Sequence, residues 1–361
     1  MFPLEVHLNR VDLKVQSELK AFWYDETTRG ASTFHLHVKS GDWKKWDEII
    51  IGGESQNARL RWGAVQGRSV RWASWKEVLL YPVRFRYRYN VVEVWIDGVD
   101  GGYRLNERAH SLAFVDKLIS QMVAELASKN KFSARVTPTQ GKFTRYQGNL
   151  TDAEFIQKVL LKSAVSASGR PDYDFYIEDG TTVVFAPVDL SKVNAVYKVR
   201  QRPDVAHPND IVVLDVDCRS LFRASEGSYS TEVRGYDPLL KEPIHKVMQD
   251  SLPGFKYVAR HRPEPPASPA SVQLVTAETE DAVTQCGEGT WGCKARSLFQ
   301  TSLSVDYDID ARPGQVVELT MRYPDEKLHW TSGRWLVWKV RQWARPRGVG
   351  TVLHLERRAY E

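Results

Sequence analysis

Two sets of residues in this sequence have types and spacing that chemistry could use. His35 and His37 lie two positions apart, so both imidazoles could bind one metal ion, with His7 as a third candidate ligand. Asp215 and Asp217 share a strand face in the same way, as do Asp306, Asp308 and Asp310. Such carboxylates act as acids only when burial raises a pKa. Because the sequence supplies no completing ligand or opposing carboxylate, we interpret both sets as solvated faces and predict no catalytic or metal site.

A glycine-rich segment, Gly287-x-Gly289-x-x-Gly292, has the spacing of a dinucleotide-binding turn. That turn binds a pyrophosphate only when a strand precedes it and a helix follows it. Here a polar stretch precedes the glycines, so we predict a loop and no cofactor. The flanking Cys286 and Cys293 are interpreted as reduced thiols, although they could also close a small loop. Since G-x-S-x-G, P-loop and H-E-x-x-H motifs are missing from the sequence, we expect a protein that is not an enzyme.

Basic side chains at every second position favour a surface that meets another molecule. We predict a partner-facing surface composed of Arg84, Arg86, Arg88, Lys339 and Arg341. Such a surface could contact phosphates or an acidic protein, and the tryptophans near Lys339 could stack on bases. The alternative interpretation is structural, with the basic residues on the solvated side of barrel strands whose apolar neighbours turn inward. The net charge of +5 is too small to decide between these interpretations.

The elements that position these residues are mostly strands. Alternation of apolar and polar residues predicts strands at 34–38, 83–89, 195–200, 211–217 and 336–341, with a bulge or tight turn near Asn90. Spacing of three and four predicts an amphipathic helix over residues 112–126. Thr151 and Glu154 form a capping box at the start of a second helix. Residues 174–187 predict a hairpin closed at Asp179-Gly180.

The order of these elements predicts a β-rich α+β protein with several domains. We place a first β domain at residues 1–105 and an inserted α+β domain at residues 106–190. A second β domain combines residues 191–240 with residues 295–361. Residues 241–294 include four prolines between positions 263 and 269, so we expect an extended linker or a small peripheral domain.

Length and composition exclude several classes of protein. The chain has 361 residues, of which 42% are hydrophobic and 26% are charged, which argues against a disordered chain, a collagen-like fibre or a coiled coil. Its apolar runs all fall well short of the roughly 18 residues that a membrane-spanning helix needs, and the N-terminus is unlike a signal peptide. Twelve tryptophans among many β-branched residues favour sheets and barrels.

Several segments of the sequence resemble one family of structural proteins. Residues 143–156, FTRYQGNLTDAEFI, have a strand with tyrosine, glutamine and asparagine that leads into a capped helix with a D-x-E-F motif. The hairpin at residues 175–187 follows, and PGQVV, SGRWLV and TVLHLER stand at residues 313–317, 332–337 and 351–357. This series resembles the baseplate hub proteins of contractile phage tails, which include late control protein D-like hubs and the hub part of type VI secretion spikes.

The resemblance implies a homotrimer whose function is geometric. In these hubs two barrel-like tube domains of each chain alternate around an axis, so that three chains form a pseudo-sixfold ring. The ring adapts the sixfold tail tube to the threefold central spike. For this chain the barrels would be residues 1–105, and residues 191–240 together with 295–361.

The same resemblance implies partners and a location. The partners would be the tail tube protein, a central spike on a separate chain, since no spike region is appended here, and a tape-measure protein or passing DNA in the lumen. The chain would be assembled in the host cytoplasm into the tail baseplate of the virion. A related contractile injection device or a long non-contractile tail would give the same resemblance.

Two functions of other classes stay open from the residues alone. A nucleic-acid-binding protein could use the basic, tryptophan-rich C-terminal strands. A carbohydrate-binding or cell-wall-binding module could stack its tryptophans on sugars.

Overall fold

The structure of the protein is a computed structural model, and its regular elements are mostly strands. It describes residues 2–8, 11–14, 17–51, 57–169, 173–198, 211–220, 231–237, 240–248, 271–274, 279–295, 299–323, 325, 327–329 and 331–357. The extended conformation predicted for the segment with four prolines, between positions 263 and 269, concerns residues outside this description. Within the described part of the chain, no helix combines the length and apolar character that crossing a bilayer requires.

The first part of the chain forms nine strands and one helix. The strands are β1 Leu4–Leu8, β2 Val11–Lys14, β3 Leu19–Thr27, β4 Thr33–Ser40, β5 Asn57–Gln66, β6 Ser69–Trp72, β7 Lys76–Leu80, β8 Arg84–Arg88 and β9 Val91–Asp100, and the helix is α1 Trp43–Ile51. The main sheet has the antiparallel order β2-β1-β5-β7-β9-β4-β3. Alternate residues such as Phe22, Leu36 and Trp62 are buried in one core, as period-two alternation requires.

The inserted part begins with a short 3-10 helix, Gly101–Asn106, and mixes strands with helices. Its elements are β10 Ala109–His110, β11 Ala113–Leu118, α2 Ile119–Lys129, β12 Ser133–Val136, β13 Lys142–Tyr146, β14 Leu150–Thr151, α3 Asp152–Phe155, β15 Tyr173–Glu178 and β16 Thr182–Pro187. The chain continues from α3 through a π-helical and a 3-10 segment to Ser163. A separate core lies between α2 and these strands, around Met122, Phe155 and Phe185.

Local predictions in this part are confirmed with one correction. The Thr151 hydroxyl accepts a hydrogen bond from Glu154 N at 3.2 Å, and the Glu154 carboxylate accepts one from Thr151 N. The hairpin β15–β16 turns at Asp179 and Gly180, both at positive φ. The helix predicted over residues 112–126 is wrong in its first half. Residues 113–118 instead pair with β13 although their apolar residues have a helix-like spacing, and the pairing is irregular at Asp116, where φ is 51°.

The last part supplies a second group of strands. They are β17 Ala195–Lys198, β18 Ile211–Ser220, β22 Phe299–Val305, β23 Val316–Thr320, β24 Gly333–Arg345 and β25 Gly348–Arg357. Successive pairings run β17–β18–β22–β25–β24–β23 and return to β17. Tyr197, Leu303, Trp335 and Leu353 are buried in the core of this group. The strands predicted at residues 195–200 and 211–217 are thus present over 195–198 and 211–220.

One strand joins the two groups into a continuous sheet. The N-terminal residues of β24 pair with β23, whereas residues 339–344 pair with β3 on one side and with β25 on the other. Ala344 accordingly belongs to the core of the first group, while Val340 belongs to the core of the second.

A small sheet and a helix occupy part of the predicted linker. β19 Thr231–Asp237 pairs with β20 Glu242–Met248 and β21 Ser271–Leu274, and α4 Glu280–Ala295 follows. β19 lies within the predicted segment 191–240, but its Val233 is buried in the core of the insert, together with Val283 of α4. The loop predicted at the glycines 287–292 is wrong, because these residues lie inside α4.

Gly289 of α4 allows the helix to approach the segment Leu161–Ser163 closely. A Cβ at Gly289 would lie 2.0 Å from the carbonyl oxygen of Lys162, so only glycine fits at this position. Beside it, Cys286 Sγ lies 3.2 Å from both Ser163 Oγ and Arg145 Nη2 and forms no disulfide. The side chain of Cys293 is outside the described residues.

Candidate partner-facing surface

Three of the five predicted surface residues lie together on β8. Arg84, Arg86 and Arg88 are exposed and share one face of the strand. The hairpin β8–β9 turns at Tyr89 and Asn90, with Tyr89 at a φ of 48°, so the predicted tight turn is confirmed. The strand therefore presents its arginines at a margin of the sheet.

The opposite face of β8 is exposed as well. Phe85 and Tyr87 are 45% and 38% exposed, so the interpretation in which apolar neighbours turn inward is wrong for this strand. Among the strands that the structure describes, β8 pairs with β9, and on its aromatic face Tyr87 contacts Trp43 of α1 and donates its hydroxyl to Asp47. β8 thus carries an aromatic face and a cationic face, both open to solvent.

Lys339 and Arg341, by contrast, are bound within the chain. The register of β3 and β24 places Asp25 opposite Arg341, whose Nε and Nη2 donate to the carboxylate at 2.6 Å each. Lys339 Nζ lies 3.0 Å from the same carboxylate. Burial alone would raise the pKa of Asp25, but the hydrogen bonds and charges of Arg341 and Lys339 outweigh it and lower the pKa. Lys339 and Arg341 of β24 therefore form ion pairs with β3 at the junction between the two strand groups.

A stripe of stacked rings separates the two basic sets on the same face. Arg84 lies 4.5 Å from the centre of the Trp95 ring, and Trp95 stacks on His37 at 4.8 Å. Beside them His35 stacks on Trp23 at 3.9 Å. β9, β4 and β3 therefore lie between the arginines of β8 and the cations of β24. The five predicted residues share a face but form two separate patches.

The two histidines are packed rather than solvent-facing. Burial lowers the pKa of His37, and the positive charges of His35, Lys20 and Arg84 lower it further against the opposing effect of Glu93. His7 lies on β1, which β5, β7 and β9 separate from β4. In the described part of the chain, no group of three or more His, Cys, Asp or Glu side chains is placed to hold a metal ion.

The acidic sets also differ from an acid–base site. Asp215 and Asp217 are exposed on β18. Asp308 accepts a hydrogen bond from Tyr197 at 2.7 Å, and Asp310 is paired with Arg71. The carboxylates of Asp308 and Asp310 therefore serve packing and ion pairing in the loop after β22, while Asp306 is exposed.

A buried charge cluster that no local sequence pattern indicates connects the insert to the first sheet. Lys76 is fully buried, and its Nζ lies 3.0 Å from Glu26 Oε1 and 2.5 Å from Asp179 Oδ1. Ser74 also donates to Asp179, at 2.9 Å. Burial opposes ionisation of Asp179, but the charge and hydrogen bond of Lys76 lower its pKa below the ordinary value. The only local signal was the Asp179-Gly180 turn, since its partner lies about a hundred residues away.

Asp100 is a further buried carboxylate beside this cluster. Its Oδ1 accepts a hydrogen bond from Gly102 N at 2.9 Å and so caps the 3-10 helix that begins the insert. Burial raises the pKa of Asp100 to about 6, an effect that hydrogen bonds from Ser32 and from Gly102 N offset only in part and that the nearby Glu26 reinforces.

Solved structures with a similar fold are tail proteins. A tail protein from Neisseria meningitidis MC58 aligns with a TM-score of 0.67 at 13% identity, over 98% of this chain and 96% of that one. The 43 kDa tail protein of prophage MuSo2 from Shewanella oneidensis gives a TM-score of 0.63 at 11% identity, over 98% of each chain. This chain has the fold of phage tail proteins.

A third structure extends the fold to secretion systems. The E. coli c3393 protein is described as a component of the type VI secretion system with structural similarity to the T4 phage tail proteins gp27 and gp5. It aligns with a TM-score of 0.53 at 8% identity, over 95% of this chain and 75% of its own. No protein-family model and no curated protein matches the sequence. At these identities the likeness establishes the fold, and it spans both strand groups and the insert.

Proposed function

We propose that this chain is a structural protein of a phage-type tail and forms a homotrimeric baseplate hub. The observation that carries the proposal is the fold shared with two tail proteins, one of them from a prophage, over nearly the full length of all three chains. The hub would adapt a sixfold tail tube to a threefold central spike in a contractile tail. Its role would be geometric rather than catalytic.

The arrangement of strands supports this role. An adaptor between sixfold and threefold symmetry needs two similar bodies in each of three chains, held rigidly side by side. The first strand group and the second are joined through β24, which pairs with strands of both. The pairings that return to β17 support a barrel-like second tube domain, and the first strand group, with Trp62 in its core, would form the first.

The proposal also names partners and a location. The tail tube protein would stack on one side of the ring, and a spike on a separate chain would attach to the other. The similarity of the type VI component to gp27 and gp5 supports a spike-related position. A tape-measure protein or DNA would pass through the lumen, and the protein would be found in the tail baseplate of the virion.

The mass and symmetry of the purified full-length chain test the proposal. Light scattering should give a mass near three times 41.3 kDa, and electron microscopy should show rings with six similar lobes. A mass of 41.3 kDa at all concentrations, together with DNA binding that weakens steeply with salt, would instead favour a nucleic-acid-binding protein.

A further inference from the structure

β8 has an edge that no strand of the described chain covers. All its ladder pairs run to β9, from Arg84 opposite Trp95 to Arg88 opposite Val91. The peptide groups on its other side are therefore available to a strand from outside the chain. An edge of this kind is either protected against pairing or used for it.

The side chains of β8 favour use over protection. Phe85 and Tyr87 leave apolar area in water on one face, which an incoming strand would cover. On the other face Arg84, Arg86 and Arg88 are exposed, and none is in an ion pair with a carboxylate of the described residues. A strand that covers this edge should therefore have acidic residues on one face and an apolar residue on the other.

β18 is such a strand. Its residues 211–212 pair with β17, and from Val213 onward it pairs with β22. Beyond residue 212, the side of β18 that faces away from β22 has no partner among the strands that the structure describes. Asp215 and Asp217 are exposed on one face here, while Val216, between them, packs against the core of the second strand group.

The acidic face of β18 is the same sheet face as the arginine face of β8. Starting from Arg84, the cross-strand pairs lead through Trp95 and His37 to Ala21 on β3. Asp25, four residues further along β3, is on the same face and lies opposite Arg341 of β24. Val352 of β25 lies opposite both Arg341 and Ser304. Ser304 lies opposite Asp215. One continuous sheet face thus has an uncovered cationic strand near one end and an uncovered acidic strand near the other.

We propose that β8 of one copy pairs along its open edge with β18 of a second copy, with Arg84 and Arg86 against Asp215 and Asp217. This seam rests on the homotrimer of the proposed function and gives that trimer an interface. Phe85 then lies on the side of Val216, so the apolar faces of the two strands also match. Because the two edges are different, the contact is head-to-tail, and it gives a closed ring of three copies if each contact rotates the next copy by one third of a turn.

Charge reversal in the full-length protein tests the seam. One variant combines Arg84→Glu with Arg86→Glu, a second combines Asp215→Arg with Asp217→Arg, and a third contains all four substitutions. Each of the first two should raise the dissociation constant of the trimer about tenfold or more, because like charges then face each other. The third should restore trimers, because the pairs are re-formed with reversed sign.

A matched control separates a specific seam from net charge. Arg68→Glu changes an exposed arginine in the turn between β5 and β6, and the protein should keep the solution mass of the wild-type trimer. Circular dichroism should show the same spectrum for all variants, because the substituted residues are exposed.

The outcomes show separately whether the β8–β18 interface is wrong and whether the homotrimeric hub is wrong. If the wild type is a trimer and both double variants remain trimers at the same concentrations, the seam is wrong and the hub stands. Loss of trimers without restoration in the third variant also overturns the pairing of these two strands. A wild type that is monomeric at every concentration overturns the homotrimer and the seam together.

Discussion

Lys76 is a buried cation that links the first sheet to the insert through Glu26 and Asp179. Lys76→Met keeps the length of the side chain but leaves Glu26 buried without its cation. We expect the free energy of unfolding to fall by about 3–5 kcal/mol, which is typical when one partner of a buried ion pair is removed. Urea unfolding of wild type and variant measures the difference.

Lys117→Met is the matched control for Lys76→Met. Lys117 also contacts a carboxylate, Glu125, at 2.6 Å, but both side chains are partly exposed. Its loss should cost at most about 1 kcal/mol, because water solvates the remaining charge. Equal losses in the two variants would mean that the Lys76 cluster is solvated and contributes no more than a surface pair.

Asp100 should make stability depend on pH in the opposite sense from an ion-paired carboxylate. Its pKa is about 6 in the folded protein, against an ordinary value of 3.8 for an exposed aspartate. The folded state therefore binds the proton more tightly than the unfolded state does. The residue therefore opposes folding above about pH 6, and this cost disappears as the pH falls toward about 4. Asp100→Asn keeps an oxygen for Gly102 N and removes the charge.

We expect Asp100→Asn to raise the free energy of unfolding by about 1–3 kcal/mol at about pH 7 and to change it little near pH 4. Unfolding in urea across this range, for variant and wild type, gives the difference at each pH. A difference that does not vary with pH would contradict a raised pKa at Asp100.

Residues differ in how far their roles can be predicted from sequence. The exposure of Arg84, Arg86 and Arg88 follows from local alternation, and the structure agrees. The ion pair between Arg341 and Asp25 cannot be predicted from local sequence, because it depends on the register of two strands about three hundred residues apart. Lys76 was missed for the same reason, since a buried lysine in an alternating strand has no local signature.

At the scale of elements, α4 and the segment Leu161–Ser163 approach each other closely, at Gly289 and Lys162. Gly289→Ala would place a Cβ 2.0 Å from the Lys162 carbonyl oxygen, so one backbone must move. We expect a loss of about 1–3 kcal/mol from this overpacking. If the helix were free, alanine would instead stabilise it by about 1 kcal/mol. The sign of the change in thermal midpoint therefore decides whether the contact exists.

Thr284→Ala controls for helix propensity in the same element. Thr284 is partly exposed, and its hydroxyl donates only to the Glu280 carbonyl within α4. This variant should melt close to the wild type. Near-equal behaviour of Gly289→Ala and Thr284→Ala would contradict a tight packing of α4 on the insert.

Elements with their own local signals are predicted well, and those that depend on distant partners are not. The capping box at Thr151 and the turn at Asp179-Gly180 satisfy backbone groups within a few residues, so the sequence suffices. Residues 113–118 become a strand because β13 pairs with them, although their apolar spacing resembles a helix. α4 has too little local amphipathicity to be recognised from its sequence, and its Gly289 is required by a contact with Lys162, which is distant in sequence.

For the whole molecule, the important feature is that one strand belongs to both halves. Residues 339–344 of β24 pair with β3 and β25 at once, so unfolding of either group exposes an edge of the other. We therefore expect calorimetry to show that the two strand groups unfold in one transition. A hub that transmits load between tube and spike would need this coupling, since independent halves could rotate against each other.

Ala344→Pro tests the coupling. Ala344 is buried between Phe22 of β3 and Val349 of β25, and proline at this position of a central strand removes its N–H from the ladder. We expect the single transition to split in two, because the groups then lose their shared strand. The control is Arg345→Pro, since Arg345 pairs with β25 but not with β3, and it should keep a single, slightly lower transition. If the transition splits in both variants or in neither, the β3–β24 pairing does not couple the halves. In that case the rigidity of a hub would have to come from contacts between copies.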